Sequence, residues 1–114
     1  MLSKENRLQK DKDFSRVFKN TRPISTEHLS IRANRLVGDK ESRFGFVVSN
    51  KVNKLATRRN ALKRQLREIV RSLISELATG YDVIVVVRTD FPFPYDQEKI
   101  MPELKGGLKR AGIL

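Results

Sequence analysis

"TRRNALKRQLREIVRSLISELATGYDVIVVVR", residues 57–88, runs from a long amphipathic segment through a glycine into an unbroken apolar stretch. At about 100° per residue, Leu62, Leu66, Ile69, Val70, Leu73 and Leu77 share one face. The spacing predicts a helix from about Thr57 to Ala78, with Thr57 as N-cap and Gly80 just beyond its end. "YDVIVVVR" is dense in β-branched residues and apolar on both faces, the pattern of a strand in the middle of a sheet. A helix that must bury one stripe, joined to a strand that must bury both faces, calls for packed layers of helix and sheet.

Working outward, "HLSIRANRL" (28–36) alternates Leu29, Ile31 and Ala33 with polar residues, as a half-buried strand does. "VGDKES" (37–42) reads as a turn and "RFGFVVS" (43–49) as a second strand, so the pair is expected to form a hairpin. Asp11 is placed to cap a short helix from about Lys12 to Lys19, which carries Phe14, Val17 and Phe18 at i, i+3 and i+4 and ends before Arg22-Pro23. "TDFPFPYDQ" (89–97) is a loop. The tail from about Asp96 to Arg110 is helical in pattern but interrupted by Pro102 and Gly106-Gly107. The order is α-β-β-α-β-α, with room for one more short strand, in a single α+β domain spanning residues 1–114.

Composition narrows the function. Hydrophobic residues make up 39% and charged residues 32%, the balance of a folded soluble chain rather than a disordered one. The longest apolar run is Val83–Val87, far short of the roughly 18 residues of a membrane span. Zero cysteines exclude disulfides and thiol chemistry and fit a reducing compartment, so a cytoplasmic protein is expected. Residues 1–80 hold 19 Lys/Arg against 8 Asp/Glu, whereas residues 81–114 hold 5 of each, so the whole net charge of +11 lies in the first part. That asymmetry is the footprint of a polyanion partner, nucleic acid before an anionic membrane surface.

The basic charge is also patterned. Asn60, Lys63, Arg64, Arg67 and Arg71 fall in a sector roughly 100° wide beside the apolar stripe of the long helix, on the shoulder where it meets the sheet. Like charges at i,i+4 repel, and Glu68 is the only acid between residues 57 and 71. A bound polyanion resolves the repulsion, and Arg58 and Arg59 at the helix N-terminus, where free N–H groups attract phosphate, extend the same surface. Phe14 and Phe18, one turn apart, suit either core packing or stacking of single-stranded bases, and periodicity leaves both open. Catalytic groups are sparse: His28 has no neighbouring cysteine or serine-containing elbow, and no phosphate-cradling loop or two-metal pattern of clustered carboxylates occurs.

Taken in order, these segments resemble the protein subunit of bacterial ribonuclease P. "NRLQKDKDFSRVFKN" (6–20) is similar to its N-terminal signature and "RFGFVVSNKVNK" (43–54) to its strand ending in Ser-Lys-Lys. "RRNALKRQLREIVR" (58–71) resembles its Arg-Asn-Arg helix, and "YDVIVVVR" its Asp-to-Arg strand. Departures are Ala61 in place of the third cation of the triplet, Asn50 for a lysine, Asn53 and Leu55 in a longer loop without glycine, and a second strand without aromatics.

The resemblance implies a fold like domain 2 of ribosomal protein S5: a small, mostly antiparallel sheet packed with helices and containing a left-handed βαβ crossover. It implies an accessory subunit of an RNA-based endonuclease that removes the 5′ leader of precursor tRNA. Chemistry is then the RNA's, with Mg²⁺ held mainly by the RNA and none bound tightly by the chain; no catalytic or metal-binding residue is expected in the protein. The catalytic RNA would dock on Arg59, Asn60, Lys63, Arg64 and Arg67, with Lys51 and Lys54 nearby. Arg58, beside the gap at Ala61, and Arg71, on the same stripe, complete that set. The single-stranded leader would lie on Phe14, Phe18 and Arg88. The expected partners are therefore the catalytic RNA and precursor tRNA, with no membrane and no protein partner. The alternatives are a general RNA- or ribosome-binding protein and, more remotely, a membrane-surface or calmodulin-target helix.

Overall fold

The expected central strand organises the molecule. In the computed structural model, which describes residues 2–36, 38 and 40–114, Tyr81–Val87 (β4) lies between two partners in a four-stranded sheet ordered β1-β2-β4-β3. β1 is the short Ile24–Ser25, β2 is Leu29–Arg35 and β3 is Arg43–Val47. β2 runs antiparallel to β4, pairing Leu29 with Val87 and Arg35 with Tyr81. β3 runs parallel to β4, pairing Arg43 with Asp82 and Val47 with Val86.

The expected hairpin between residues 28–36 and 43–49 therefore does not form, because β4 is inserted between β2 and β3. A strand apolar on both faces gains most from the middle of the sheet, and there it separates two strands that are neighbours in sequence. Val37 and Asp39 of the expected turn lie outside the described residues.

Successive β4 side chains feed two cores, as the period of a strand requires. Val83, Val85 and Val87 join the larger core with α2 (Ala56–Leu73) and α3 (Gln97–Arg110). Ile84 and Val86 face α1 (Asp11–Asn20), with Leu8, Val17, Phe14 and Val47. The sheet is thus sandwiched, with α1 on one side and α2 and α3 on the other.

The helix ends differ from expectation. The N-cap of α1 is Lys10, so Asp11 and Asp13 sit in its first turn, where the helix dipole favours carboxylates. α2 starts at Ala56, with Leu55 as an N-cap that makes no side-chain bond, and Thr57 falls inside the first turn. It stops at Leu73, where the Ser72 hydroxyl donates to the Ile69 carbonyl at 2.6 Å and the following turn tightens. Gly80, with φ +86°, supplies the left-handed reversal into β4.

α3 is continuous despite Pro102 and the glycine pair. Asp96 caps it, accepting from the Glu98 N–H at 2.9 Å, and Pro102 is exposed, so its ring displaces nothing in the core. Gly107 is buried against Ile31, where any Cβ would overlap Ile31 Cδ1. Close helix–sheet packing outweighs the low helix propensity of glycine.

His28 and Glu103 fasten α3 to the β1–β2 turn. Glu103 Oε2 accepts from the Thr26 hydroxyl (2.5 Å) and the His28 N–H (2.7 Å), and Oε1 lies 2.7 Å from His28 Nδ1. The His28 ring also stacks on Phe91, with centroids 4.4 Å apart. His28 is a structural histidine. Burial pushes the Glu103 carboxyl up, but the bonds from Thr26 and His28 outweigh it and hold the group below its ordinary value of 4.5. A depressed carboxylate stabilises the fold above its unfolded pKa and loses that contribution as pH falls through the folded value. At pH 7, Glu103→Gln should therefore be less stable by about 1.5–3 kcal/mol, the worth of charge-assisted bonds. Urea unfolding midpoints of the two proteins should converge as pH falls from about 4.5 toward 3.

Candidate nucleic-acid interface

α2 buries Leu62, Leu66, Ile69, Val70 and Leu73 against the sheet, and this fixes where its cations stand. Asn60, Arg64 and Arg71 are exposed, while Lys63 and Arg67 lie half-buried on the flank. Lys63, Arg64 and Arg67 make no hydrogen bond or ion pair among the described residues, and Arg71 stands 3.8 Å from Glu68. Arg59 is turned inward: its Nη1 donates to the carbonyls of Asn53 (2.9 Å) and Lys54 (3.0 Å), clamping the loop that enters α2. Lys51 and Lys54 are exposed on that loop. Arg58 lies over the Phe93 ring, 4.0 Å from its centroid.

The loop after β4 is tied to the same entry. Asp90 accepts from the Tyr95 hydroxyl and from the Asn53 side-chain amide, each at 2.9 Å. Burial, then the bond to Asp90, pushes the Tyr95 hydroxyl up to about 12, so it remains a donor at neutral pH.

On the opposite face of the sheet, α1 is pinned by an ion-pair network. Arg43 grips Asp82 with two bonds of 2.8 and 2.7 Å, and its Nη1 donates to Asp13 Oδ2 at 3.3 Å. Hydrogen bonding to Asp82 raises the guanidinium above its ordinary value against the opposing effect of burial. With α1 held there, the two phenylalanines differ. Phe14 is half-buried and lies on Gly45, where a Cβ would stand 2.5 and 2.8 Å from its ring carbons. Phe18 is 42% exposed, with the Arg32 guanidinium 5.0 Å from its centroid. Arg32 Nη1 donates to the carbonyls of Thr21 (2.7 Å) and Phe18 (3.3 Å), so its position is fixed.

A cleft of about 230 Å³ opens beside β3, lined by Arg7, Leu8, Gln9, Phe14, Phe44, Gly45, Phe46 and Arg67. The structure thus brings the flank of α2 and the first aromatic of α1 together around the edge strand. Arg88 continues the Ile84–Val86 alternation onto the α1 face, and its Nη1 donates to the Thr26 carbonyl at 2.6 Å.

A family model described as Ribonuclease P matches residues 2–112. The chain belongs to the ribonuclease P protein family. A ribonuclease P protein component from a Pseudanabaena species is 39% identical over 114 residues, covering 100% of this chain and 97% of that protein. Another, from a Cyanothece species, is 37% identical over 129 residues, with coverage of 100% and 98%. The solved ribonuclease P protein of Thermotoga maritima superposes with a TM-score of 0.80 at 33% identity, covering 91% of this chain and 96% of that one.

Membership makes this ribonuclease P protein an accessory part of a tRNA-processing endonuclease that includes the ribonuclease P RNA, and it sets aside the general RNA- or ribosome-binding alternative. No helix among the described residues is long and apolar enough to cross a membrane. The apolar stripe of α2, the basis of the membrane-helix and calmodulin alternative, is spent on the domain's own core.

Sequence reasoning missed Arg32, Arg7 and Phe93 as members of this surface. Arg32 occupies a polar place in the alternation of β2, which signals only that it faces away from the main core. Phe93 lies in a loop without periodicity, and its neighbour Arg58 is 35 positions away in sequence. Among the described residues, Glu27, His28 and Glu103 form a group of metal-ligand type, with atoms within 4.8 Å of one another. Both Glu103 oxygens and His28 Nδ1 are engaged in the bonds that anchor α3.

Proposed function

We propose that the two faces of the sheet carry two RNA contacts. The catalytic RNA docks along α2 on Lys63, Arg64, Arg67 and Arg71, with Asn60, Arg58, Lys51 and Lys54 at its N-terminal end. Arg59 contributes chiefly by shaping the entry loop. The observation that carries this reading is that Lys63, Arg64 and Arg67 have no acid partner among the described residues, beside an apolar stripe buried against the sheet.

On the α1 face, the single-stranded 5′ leader of precursor tRNA lies across Phe18 and the cleft beside Phe14. Arg32 and Arg67 receive its phosphates, and Arg88 stands at the far end. The chain's work is to hold two RNAs in register and neutralise their phosphates as they approach, in the cytoplasm. The Mg²⁺ used in cleavage is assigned to the RNA. That ion takes about six oxygen ligands in a near-ideal octahedron, which the Glu27–His28–Glu103 group, one of its three members a histidine already bonded to Glu103, does not fit.

Phe18→Ala tests the leader contact. Losing one base stack worth about 1–3 kcal/mol should weaken binding of leader-bearing precursor by roughly 5- to 150-fold. Mature tRNA should bind the reconstituted holoenzyme as before. Equal losses for both substrates would remove the leader from this face.

A further inference from the structure

Phe93 is the most exposed large hydrophobic side chain among the described residues, at 54%, and Leu55, the N-cap of α2, follows at 53%. Phe93 is nonetheless held in place. Arg58 stacks on it at 4.0 Å, and Tyr95 meets it edge-on with centroids 5.3 Å apart and planes at 88°. Tyr95 is fixed through Asp90 to Asn53, whose carbonyl in turn takes the Arg59 guanidinium. Thus an apolar ring is presented to solvent on a braced loop, at the N-terminal end of the basic helix.

We propose that Phe93 and Arg58 form a stacking site for an unpaired nucleobase of the catalytic RNA. The inference rests on the docking role proposed for α2. A ring and a guanidinium plane each accept the π-face of any base, and Lys51, Lys54 and α2 itself supply positive charge for the adjoining phosphates. Charge favours a polyanion over a protein: Arg58 lies on the ring, and Lys51 and Lys54 are exposed on the loop that enters α2. Position decides between RNAs. Phe93 is joined through Arg58 to the N-terminal end of α2, where the catalytic RNA is proposed to dock, whereas Phe18 lies on α1 across the sheet. The site also gives the triplet's departure a meaning. With Ala61 in the third place, Arg58 brings a cation one residue before the motif and aims it at a ring.

The sequence contains no tryptophan, so Phe93→Trp places a single indole, excited selectively over the two tyrosines, at the site while preserving an aromatic plane. Titration with catalytic RNA should quench its emission, and its affinity should match that of the parent protein. Phe93→Ala and Phe93→Leu, checked for fold by circular dichroism, should each bind the RNA about 5- to 150-fold more weakly with an unchanged salt slope. Arg64→Ala is the control for docking, and should lower both affinity and slope. Unquenched indole emission from the Phe93→Trp protein, with Phe93→Ala binding within twofold of the parent while Arg64→Ala is impaired, would overturn the stacking site and leave the docking role standing. If Arg64→Ala also binds normally, the docking role falls with it. Quenching by an isolated leader oligonucleotide but not by catalytic RNA would overturn the choice of RNA. Self-association that Phe93→Ala abolishes in the absence of RNA would overturn the choice of a nucleobase.

Discussion

Arg43→Ala is expected to destabilise the protein by about 3–5 kcal/mol, the cost of removing one partner from a buried ion pair. Asp82 is fully buried and the Asp13 side chain is only 6% exposed, so deleting the guanidinium strands two carboxylates in the interior. Arg16, 3.6 Å from Asp13, can compensate only at the outer of the two. In a chain of this size each kcal/mol lowers the thermal midpoint by roughly 4–8 °C, so a drop of more than about 12 °C is anticipated. Adding Asp82→Asn to Arg43→Ala should recover part of the loss, because the residue left behind is no longer charged. A midpoint shift of a few degrees, or no recovery in the double variant, would show that the network does not hold α1 to the sheet.

The second large effect concerns assembly. Arg64→Ala combined with Arg67→Ala removes two cations that have no acid partner among the described residues. At about 1.5–3 kcal/mol per charge-assisted contact, affinity for the catalytic RNA should fall by roughly two to four orders of magnitude. The salt dependence should flatten by about 0.7–0.9 log units per lost phosphate contact. The single variants should differ, because Arg67 also lines the cleft beside Phe14: Arg67→Ala weakens both catalytic-RNA docking and precursor binding, whereas Arg64→Ala weakens docking alone. Affinity measured across a salt series checks both points. An unchanged slope in the double variant would take the docking surface away from this flank.

How much of this was legible in the sequence follows from how local each signal is. The period of α2 and the two-faced apolarity of β4 are written within single segments, so helix, central strand and basic flank could all be read directly. Strand order could not. Whether β2 pairs with β3 or with β4 depends on the competition of β4 for the middle place, which adjacency in sequence misrepresents. The Arg43–Asp82–Asp13 network joins residues spread over 70 positions and leaves no periodic trace. Phe14 and Phe18 share one spacing but not one environment: Gly45 makes room for the first and Arg32 covers the second. The glycines of α3 read as breaks until Ile31 is seen pressed against Gly107. The family motif singled out Arg59, but only the structure shows its guanidinium turned inward onto the loop.

The strand order also constrains the moment at which the protein becomes functional. β2 and β3 have no pairing with each other and meet only through β4, which begins at Tyr81. All of the excess positive charge is synthesised before that residue. A ribosome making the chain therefore extrudes a strongly cationic segment in which β2 and β3 still lack the strand that joins them, beside abundant ribosomal RNA. Correct assembly with the cognate RNA has to wait for the last third of the polypeptide, and the dominance of distant pairings makes that closure slower than local helix formation. Translation order thus acts as a timer separating the arrival of charge from the arrival of shape.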